Sequence, residues 1–265
     1  MNNRIALFVT CLVDQIMPEV GVATVKVLRR TGFDVDFGYE ITFPTAQTCC
    51  GQPFFNSGFR AEAINLAKRT IEVLEPYETI VLPSGSCTAM IRVEYAHMLE
   101  HEPDWCERAK RVGAKTFELS EFLVTHENVK REFLAQTSKI THHESRITYH
   151  DSCHMCRFLG LRDEPREVLT QAGCEIVEID ESDRCCGFGG LFSMRMPEVS
   201  RAMTEDKLRR AAETGAKTLV TADPGCLMQM RRVQGMGERE KRGEGEKEKG
   251  MELKHLAILL EELTR

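Results

Sequence analysis

The sequence predicts an α/β fold made of two pseudo-symmetric repeats, each a small, mostly parallel sheet flanked by helices. Two observations predict it. Strand-like runs alternate with helix-like stretches, which is typical of parallel α/β units. Cysteines also recur in two sets at nearly matching spacings, and each set contains an adjacent pair followed by glycine. Recurrence of this kind indicates an internal duplication.

The two sets of cysteines organise the chain. The first set is Cys11, Cys49, Cys50 and Cys87, and the second is Cys153, Cys185, Cys186 and Cys226. The single cysteines of both sets follow strand-like runs. Ligands of open α/β sheets gather at the carboxyl ends of strands, so this placement predicts one binding site per repeat.

Elements follow the same order in both halves. In the first half we expect a buried strand in the apolar run Ala6 to Val13, a helix over Gln15 to Arg30, a strand at 33–37, a helix over Ala61 to Leu74 and a strand at 79–83. In the second half we expect a strand before Cys153, a helix over Asp163 to Ala172, a strand at 175–179, a helix over Pro197 to Thr214, a strand at 218–222 and an amphipathic element from Leu253 to Leu263. Glycines near the helix ends support these boundaries.

We therefore predict two domains, 1–140 and 141–265. Residues 125–145 are polar and join the halves. The stretch 237–250 mixes acidic and basic residues with glycines and has no apolar face, so it predicts a flexible charged insert in the second domain.

Composition restricts the class of protein. The 265 residues carry a net charge of -6 and no basic stripe, so we expect no nucleic-acid partner. The first apolar run is too short to span a bilayer and lacks a secretory cleavage site, so we expect a cytoplasmic protein without a membrane span. Eleven cysteines in a chain of this kind favour metal or redox chemistry over a disulfide scaffold.

Adjacent thiols meet at one site only where the backbone bends sharply, which Gly51 and Gly187 make possible. Four thiolates from three loops can hold zinc or an iron–sulfur cluster. The wide spread of the ligands favours a large inorganic core, and we expect one [4Fe-4S] cluster per repeat. The sequence leaves zinc in one of the two sites as an alternative. Sequence motifs for a ferredoxin-type cluster, a dinucleotide or ATP are absent.

The paired Cys-Cys-Gly pattern resembles the cysteine-rich domain pair of heterodisulfide reductase. Iron–sulfur subunits of glycolate oxidase and of anaerobic glycerol-3-phosphate dehydrogenase share that pair. YHDSCH at 149–154, RCCGFGG at 184–190 and HLA at 255–257 most resemble the lactate utilization branch of this superfamily. The resemblance covers nearly the whole chain except the insert. It implies an oxidoreductase component of L-lactate oxidation to pyruvate that acts with partner subunits, including a ferredoxin-type iron–sulfur protein.

Two positions depart from the reductase pattern, in which each repeat ends in Cys-x-x-Cys. Ser84 and Asp223 replace the first of those cysteines. Each repeat keeps four cysteines, enough for a cubane cluster, which favours electron transfer. Two alternatives stay open: a reductase with thiol or disulfide chemistry at the cluster, and a zinc-stabilised scaffold without catalysis. At the vacated positions we expect turn-stabilising side chains.

Other polar residues surround the second set. His150 and His154 flank Cys153 and, with Gly51 and Gly187, are predicted to contact the metal group indirectly through hydrogen bonds. Cys156 completes a Cys-x-x-Cys motif with Cys153, yet we expect it to support the site or the core. Cys106 and Cys174 have no counterpart in the other repeat, and we expect no special chemistry from them.

Overall fold

The structure is a computed structural model that describes residues 3–31, 39–138, 145–242 and 250–265. Within these ranges the chain forms two parallel sheets, one from each half, with helices on their faces. The predicted fold class is thereby confirmed.

The first sheet is parallel throughout. Its described strands are β1 (Asn3–Leu7), β2 (Tyr39–Thr42), β3 (Thr79–Leu82) and β4 (Thr116–Glu118). They lie in the order β2-β1-β3-β4. Crossing from β2 over β1 to β3 reverses the direction of winding, and β1 and β3 are therefore neighbours at the switch point of the sheet.

Helices connect these strands. They are α1 (Cys11–Ile16), α2 (Pro18–Arg30), α3 (Gln52–Asn56), α4 (Arg60–Leu74), α5 (Gly85–Ala89), α6 (Tyr95–Met98), α7 (Pro103–Gly113), α8 (Leu119–Thr125) and α9 (Glu127–Thr137). A π-helical turn, Met90–Glu94, joins α5 to α6. In α4 the buried residues recur every three or four positions, from Ala63 to Leu74, so one face packs on the sheet.

The second half repeats this plan. Its described strands are β5 (Ser145–Tyr149), β6 (Cys174–Ile176), β7 (Thr218–Thr221) and β8 (Glu252–His255), in the order β6-β5-β7-β8. Its helices are α10 (Asp163–Gln171), α11 (Phe192–Arg195), α12 (Pro197–Glu213), α13 (Pro224–Arg242) and α14 (Leu256–Leu263). A π-helical turn, His154–Leu159, follows Cys153.

Several expected elements differ from those observed. The predicted strand at 33–37 lies outside the described residues, and β2 begins at Tyr39. The segment 253–263 is a strand followed by a helix, because β8 pairs with β7 before α14 begins. Thr116–Glu118, the fourth strand of the first sheet, was not predicted, since three residues carry no visible alternation.

The junctions between segments also differ. Residues 127–137 of the predicted joining segment are the helix α9. Helix α13 continues to Arg242, six residues into the predicted insert, while 243–249 lie outside the described residues. The domain boundary at 140 stays a prediction, because 139–144 are not described either.

One of the hydrophobic core clusters spans both halves. Helix α14 of the second half packs against α2 of the first, and α10 of the second half packs against α8 of the first. Val27, Leu123, Leu169 and Leu260 belong to the same buried cluster and come from these four helices. Each half therefore covers an apolar face of the other. No helix in the described part of the chain is both long and apolar enough to cross a membrane.

Candidate metal centre

The four cysteines of the first repeat converge where β1 and β3 end. Cys11 begins α1, the pair Cys49 and Cys50 precedes α3, and Cys87 lies in the first turn of α5. Cys50 Sγ is 3.3 Å from Cys87 Sγ. Cys11 and Cys49 line the same cavity as this pair. All four cysteines of the first set therefore face one space.

The second repeat has the same arrangement. Cys186 Sγ is 3.0 Å from Cys226 Sγ, and Cys153 and Cys185 line the same cavity as this pair. The structure therefore brings together all eight cysteines of the two predicted sets, four in each half, and the equivalent pair of sulfurs is in contact in both halves. Their role as ligands stays a prediction.

Both sets open onto one cavity. Its volume is about 150 Å³, and all eight cysteines line it, together with residues that follow or face them. The cavity lies between the halves, since Thr10 and Gln52 line it from the first repeat and His154 and Asp223 from the second. The sequence predicted one site per repeat; the structure adds that the two sites face the same space.

Hydrogen bonds within each set polarise the thiols. Those from Cys11 and Cys50, helped by Gly51 N–H, hold the pKa of Cys49 well below its usual range. Sharing a proton with Cys49, together with burial, raises the pKa of Cys11, and the same pairing with Cys185 raises the pKa of Cys153. One thiolate per set is therefore stabilised, and ionising all four requires a compensating positive charge, which a metal core supplies.

Glycine makes the adjacent pairs possible. Gly51 has φ +88° and Gly187 has φ +86°, in the left-handed region that side chains rarely adopt. Their N–H groups point at Cys49 Sγ and Cys185 Sγ, at 3.5 and 3.4 Å. A Cβ atom on Gly187 would lie 2.5 Å from Ser200 O. Both glycines thus bend the backbone and present a donor to a thiolate.

Ser84 and Asp223 cap helices, as the sequence led us to expect. Ser84 Oγ accepts from Cys87 N at 3.3 Å, and Asp223 Oδ1 accepts from Gly225 N at 3.0 Å. Asp223 also reaches across to the first repeat, where its Oδ2 accepts from Ser86 N at 2.8 Å. Asp223 therefore joins the loops that carry Cys87 and Cys226.

His150 lies at the second site. Its side chain is fully buried, and a ring nitrogen lies within 4.8 Å of both Cys186 Sγ and Cys226 Sγ. Burial and the charge of Lys207 lower the pKa of His150 to about 4, so the ring is neutral near pH 7. Phe8, also fully buried, follows β1 as His150 follows β5, and it is the counterpart in the first repeat.

Buried charged groups lie beside the second site. Lys207 is fully buried and donates from Nζ to Glu181 O at 3.0 Å and Ser182 O at 3.1 Å. Asp151, next to His150, accepts two hydrogen bonds from Arg166, both at 2.9 Å. The first repeat has Val9 and Thr70 at the matching positions of its strand end and its helix α4. The two sites therefore share cysteines and differ in electrostatics.

His154 connects the repeats. Its Nδ1 lies 3.6 Å from Cys153 Sγ, and its Nε2 lies 3.1 Å from Gln52 Nε2 in the first repeat. The ring stacks on Phe158 at a centroid distance of 5.2 Å. Cys156 does not line the cavity, and its Sγ faces Cys153 O at 3.9 Å.

Sequence reasoning missed two polar residues of the site. Gln52 directly follows the first Cys-Cys-Gly, and no pattern in the sequence showed that it reaches the other repeat. Lys207 did carry a signal, because it falls on the buried stripe of α12 with Ser200, Thr204 and Ala211. A lysine in such a stripe needs a buried partner, so its position could have been noticed.

The donor set fits a thiolate-bound metal group. In each repeat, four cysteines from three loops line one cavity, two of their sulfurs lie within 3.3 Å of each other, and a backbone N–H group points at a third. His150 adds two buried ring nitrogens, neither of which has a hydrogen-bond partner in the described structure. Thiolates with N–H donors are the usual surroundings of iron–sulfur clusters and zinc.

Comparisons with known proteins agree with this geometry. The family described as "CCG: Cysteine-rich domain" matches residues 5–92 and 147–231, which are the two repeats. Lactate utilization protein A of Bacillus subtilis is 41% identical over 258 residues, 97% of this chain and 98% of that protein. The proteins of the same name from Halalkalibacterium halodurans and Geobacillus kaustophilus are 44% and 43% identical, each over 85% of this chain and over 87% and 89% of their own length. The chain therefore belongs to the CCG cysteine-rich domain proteins, within the family of lactate utilization protein A.

Proposed function

We propose that the protein is an iron–sulfur electron-transfer component of a system that oxidises L-lactate to pyruvate, acting in the cytoplasm. The observation that carries the proposal is the convergence of four cysteines in each repeat onto one cavity. The relatives named for lactate utilization supply the substrate. The clusters would supply one-electron redox chemistry, and the protein holds them through its thiolates and backbone N–H groups.

The eight cysteines would hold one [4Fe-4S] cluster in each repeat. Cys11, Cys49, Cys50 and Cys87 form one ligand set, and Cys153, Cys185, Cys186 and Cys226 form the other. Ser84 and Asp223 use their oxygens to accept backbone N–H groups. Those oxygens are therefore engaged as helix caps, which favours ordinary electron transfer over thiol or disulfide chemistry at an open cluster.

The protein would work with partner subunits, one of them a ferredoxin-type iron–sulfur protein. Apolar side chains beside the cavity support this. Phe54 on α3, Phe158 against His154 and Met194 on α11 are 40, 49 and 77% exposed. Exposed apolar side chains around a redox site are typical of a docking surface.

A zinc-stabilised scaffold is the second candidate, and His150 favours it at the second repeat. An imidazole beside thiolates is a common donor set for zinc. In that case the second site stabilises the fold, while the first carries the redox group.

Metal analysis separates these candidates. Protein purified without oxygen should contain about eight iron atoms per chain and as much acid-labile sulfide. The variants Cys50→Ser and Cys186→Ser should each lose about half of both. Cys106→Ser is the matched control, because its Sγ faces Ala96 O at 3.4 Å and does not line the cavity. Zinc without sulfide would contradict electron transfer.

Growth tests the substrate. A Bacillus subtilis strain without its own lactate utilization protein A should grow on L-lactate when it expresses this chain, and should not when it expresses Cys50→Ser. The deleted gene, returned to the same strain, is the positive control. Failure of this chain at comparable protein levels would argue against the lactate role.

A further inference from the structure

His150 has an unexplained position. The side chain is 0% exposed, and neither Nδ1 nor Nε2 has a hydrogen-bond partner in the described structure. Burying an unpaired polar group costs free energy, and native proteins therefore seldom retain one. A structural histidine in a core would bond a nearby carbonyl or hydroxyl group. The ring of His150 requires a partner of another kind.

Two cysteine sulfurs lie close to the ring of His150. A ring nitrogen of His150 and the Sγ atoms of Cys186 and Cys226 all lie within 4.8 Å of one another. Ligands held at about 2.0 to 2.3 Å from one metal ion are roughly 3.5 Å apart. Small side-chain adjustments therefore place one ion within reach of all three atoms.

The first repeat shows that the fold does not require histidine here. Phe8 takes the equivalent place after β1 and is equally buried, beside Cys50 and Cys87 in the same hydrophobic cluster. An aromatic ring of similar shape satisfies the packing. What His150 adds is a nitrogen donor, and it adds it at the second site alone.

We propose that His150 supplies an imidazole nitrogen ligand to the metal group of the second repeat. That site is then a cysteine–histidine site, while the site of the first repeat binds through cysteine only. The inference rests on the proposed function only in requiring that the second repeat binds a metal, iron or zinc. As a ligand, His150 would displace one of the four thiolates of the second set, and a neutral nitrogen in place of a thiolate makes a site less negative, which raises its reduction potential. If both sites hold iron, electrons pass from the first repeat to the second.

Spectroscopy of the bound metal tests the ligand directly. In reduced protein labelled with ¹⁵N-histidine, pulsed EPR should detect a directly coordinated nitrogen. That coupling should disappear in His150→Phe, which introduces the residue found at the equivalent position of the first repeat. It should persist in His154→Phe, which removes the other histidine beside Cys153. If the second site holds zinc, zinc-edge X-ray absorption should find a nitrogen at about 2.0 Å beside sulfur at about 2.3 Å, lost in the same variant.

The outcomes separate this inference from the proposed function. The wild-type protein could hold its metal through sulfur alone, or show only the weak coupling of a hydrogen-bonded nitrogen. Either result contradicts His150 as a metal ligand and does not affect the proposed electron transfer. A coupling that persists in His150→Phe also contradicts His150 as a ligand. Protein that binds no metal in its second repeat overturns both. The wild-type spectrum alone shows whether a histidine nitrogen is coordinated, even if His150→Phe fails to fold.

Discussion

At the scale of single residues, the Cys-Cys-Gly step is explained by its glycine. The sequence predicted a sharp bend there, because adjacent side chains otherwise diverge, and Gly51 and Gly187 both have positive φ. The roles of Ser84 and Asp223 could be predicted from their position in turns. The neighbourhood of His150 could not, because which groups approach a buried ring depends on tertiary packing. No periodicity or spacing contains that information.

Gly187→Ala tests this account of the glycine. The change imposes left-handed strain of about 1 to 2 kcal/mol and adds a clash with Ser200 O worth about 1 to 3 kcal/mol more. Gly58→Ala is the matched control, since Gly58 has the same φ of +86° and a Cβ atom added to it would meet nothing within 4 Å. Urea denaturation should show the larger loss of unfolding free energy for Gly187→Ala. Equal losses would mean that backbone strain alone matters.

At the scale of elements, the prediction and the structure differ at two short strands. Thr116–Glu118 and Glu252–His255 were not predicted as strands, because so few residues show no alternation and only pairing with β3 and β7 defines them. Long helices such as α4 and α12 were predicted within a residue at each end, since a buried stripe and flanking proline or glycine mark them. The end of each short strand also caps a helix. Glu118 caps α8, and His255 caps α14.

Burial shifts the pKa values of these two capping side chains in opposite directions. Burial raises the pKa of Glu118 to about 8, above 4.5 in the unfolded chain. Its contribution to stability is full below about pH 4.5 and is lost as pH rises towards 8, because only the unfolded state then releases the proton. Burial lowers the pKa of His255 to about 4, from 6.5. Its contribution is full above about pH 6.5 and is lost as pH falls towards 4.

Glu118→Gln should remove the loss at high pH. The amide oxygen can still accept from Ser120 N, and there is no carboxyl group left to ionise. Relative to wild type, the unfolding free energy of the variant should rise by about 2 kcal/mol between pH 6 and pH 8, at about 1.4 kcal/mol per pH unit where the shift is fully expressed. Urea titrations at both pH values measure this. Glu127→Gln, on the exposed first turn of α9, is the control, and a parallel pH dependence in all three proteins would refute the prediction.

At the scale of the whole molecule, the repeats depend on each other. The duplication and both sheets could be predicted from cysteine spacing and strand order. How the halves pack could not, because leucines such as Leu256 and Leu260 indicate burial without identifying the surface that covers them. In the structure α14 lies on α2 of the other repeat, and Arg30 Nη1 donates to Glu261 O at 2.7 Å between them.

Leu260→Ala should therefore weaken both repeats together. Leu260 is fully buried in α14, and its truncation should cost about 2 to 5 kcal/mol. Hydrogen exchange should show that amides of α2, in the other repeat, lose protection along with those of α14. Leu134→Ala, 39% exposed on α9, should change stability by less than about 0.5 kcal/mol. Unchanged protection in α2 would show that the halves unfold independently.

The reciprocal packing of α2 with α14 and of α8 with α10 has a consequence for ancestry. A surface that contacts its own copy in this way is isologous, as in a twofold homodimer. An ancestor with a single repeat would have paired with itself through the same helices, with two identical cysteine sites facing across the axis. Fusion of two such copies would have let the sites diverge, and the equivalent positions now hold Phe8 in one repeat and His150 in the other.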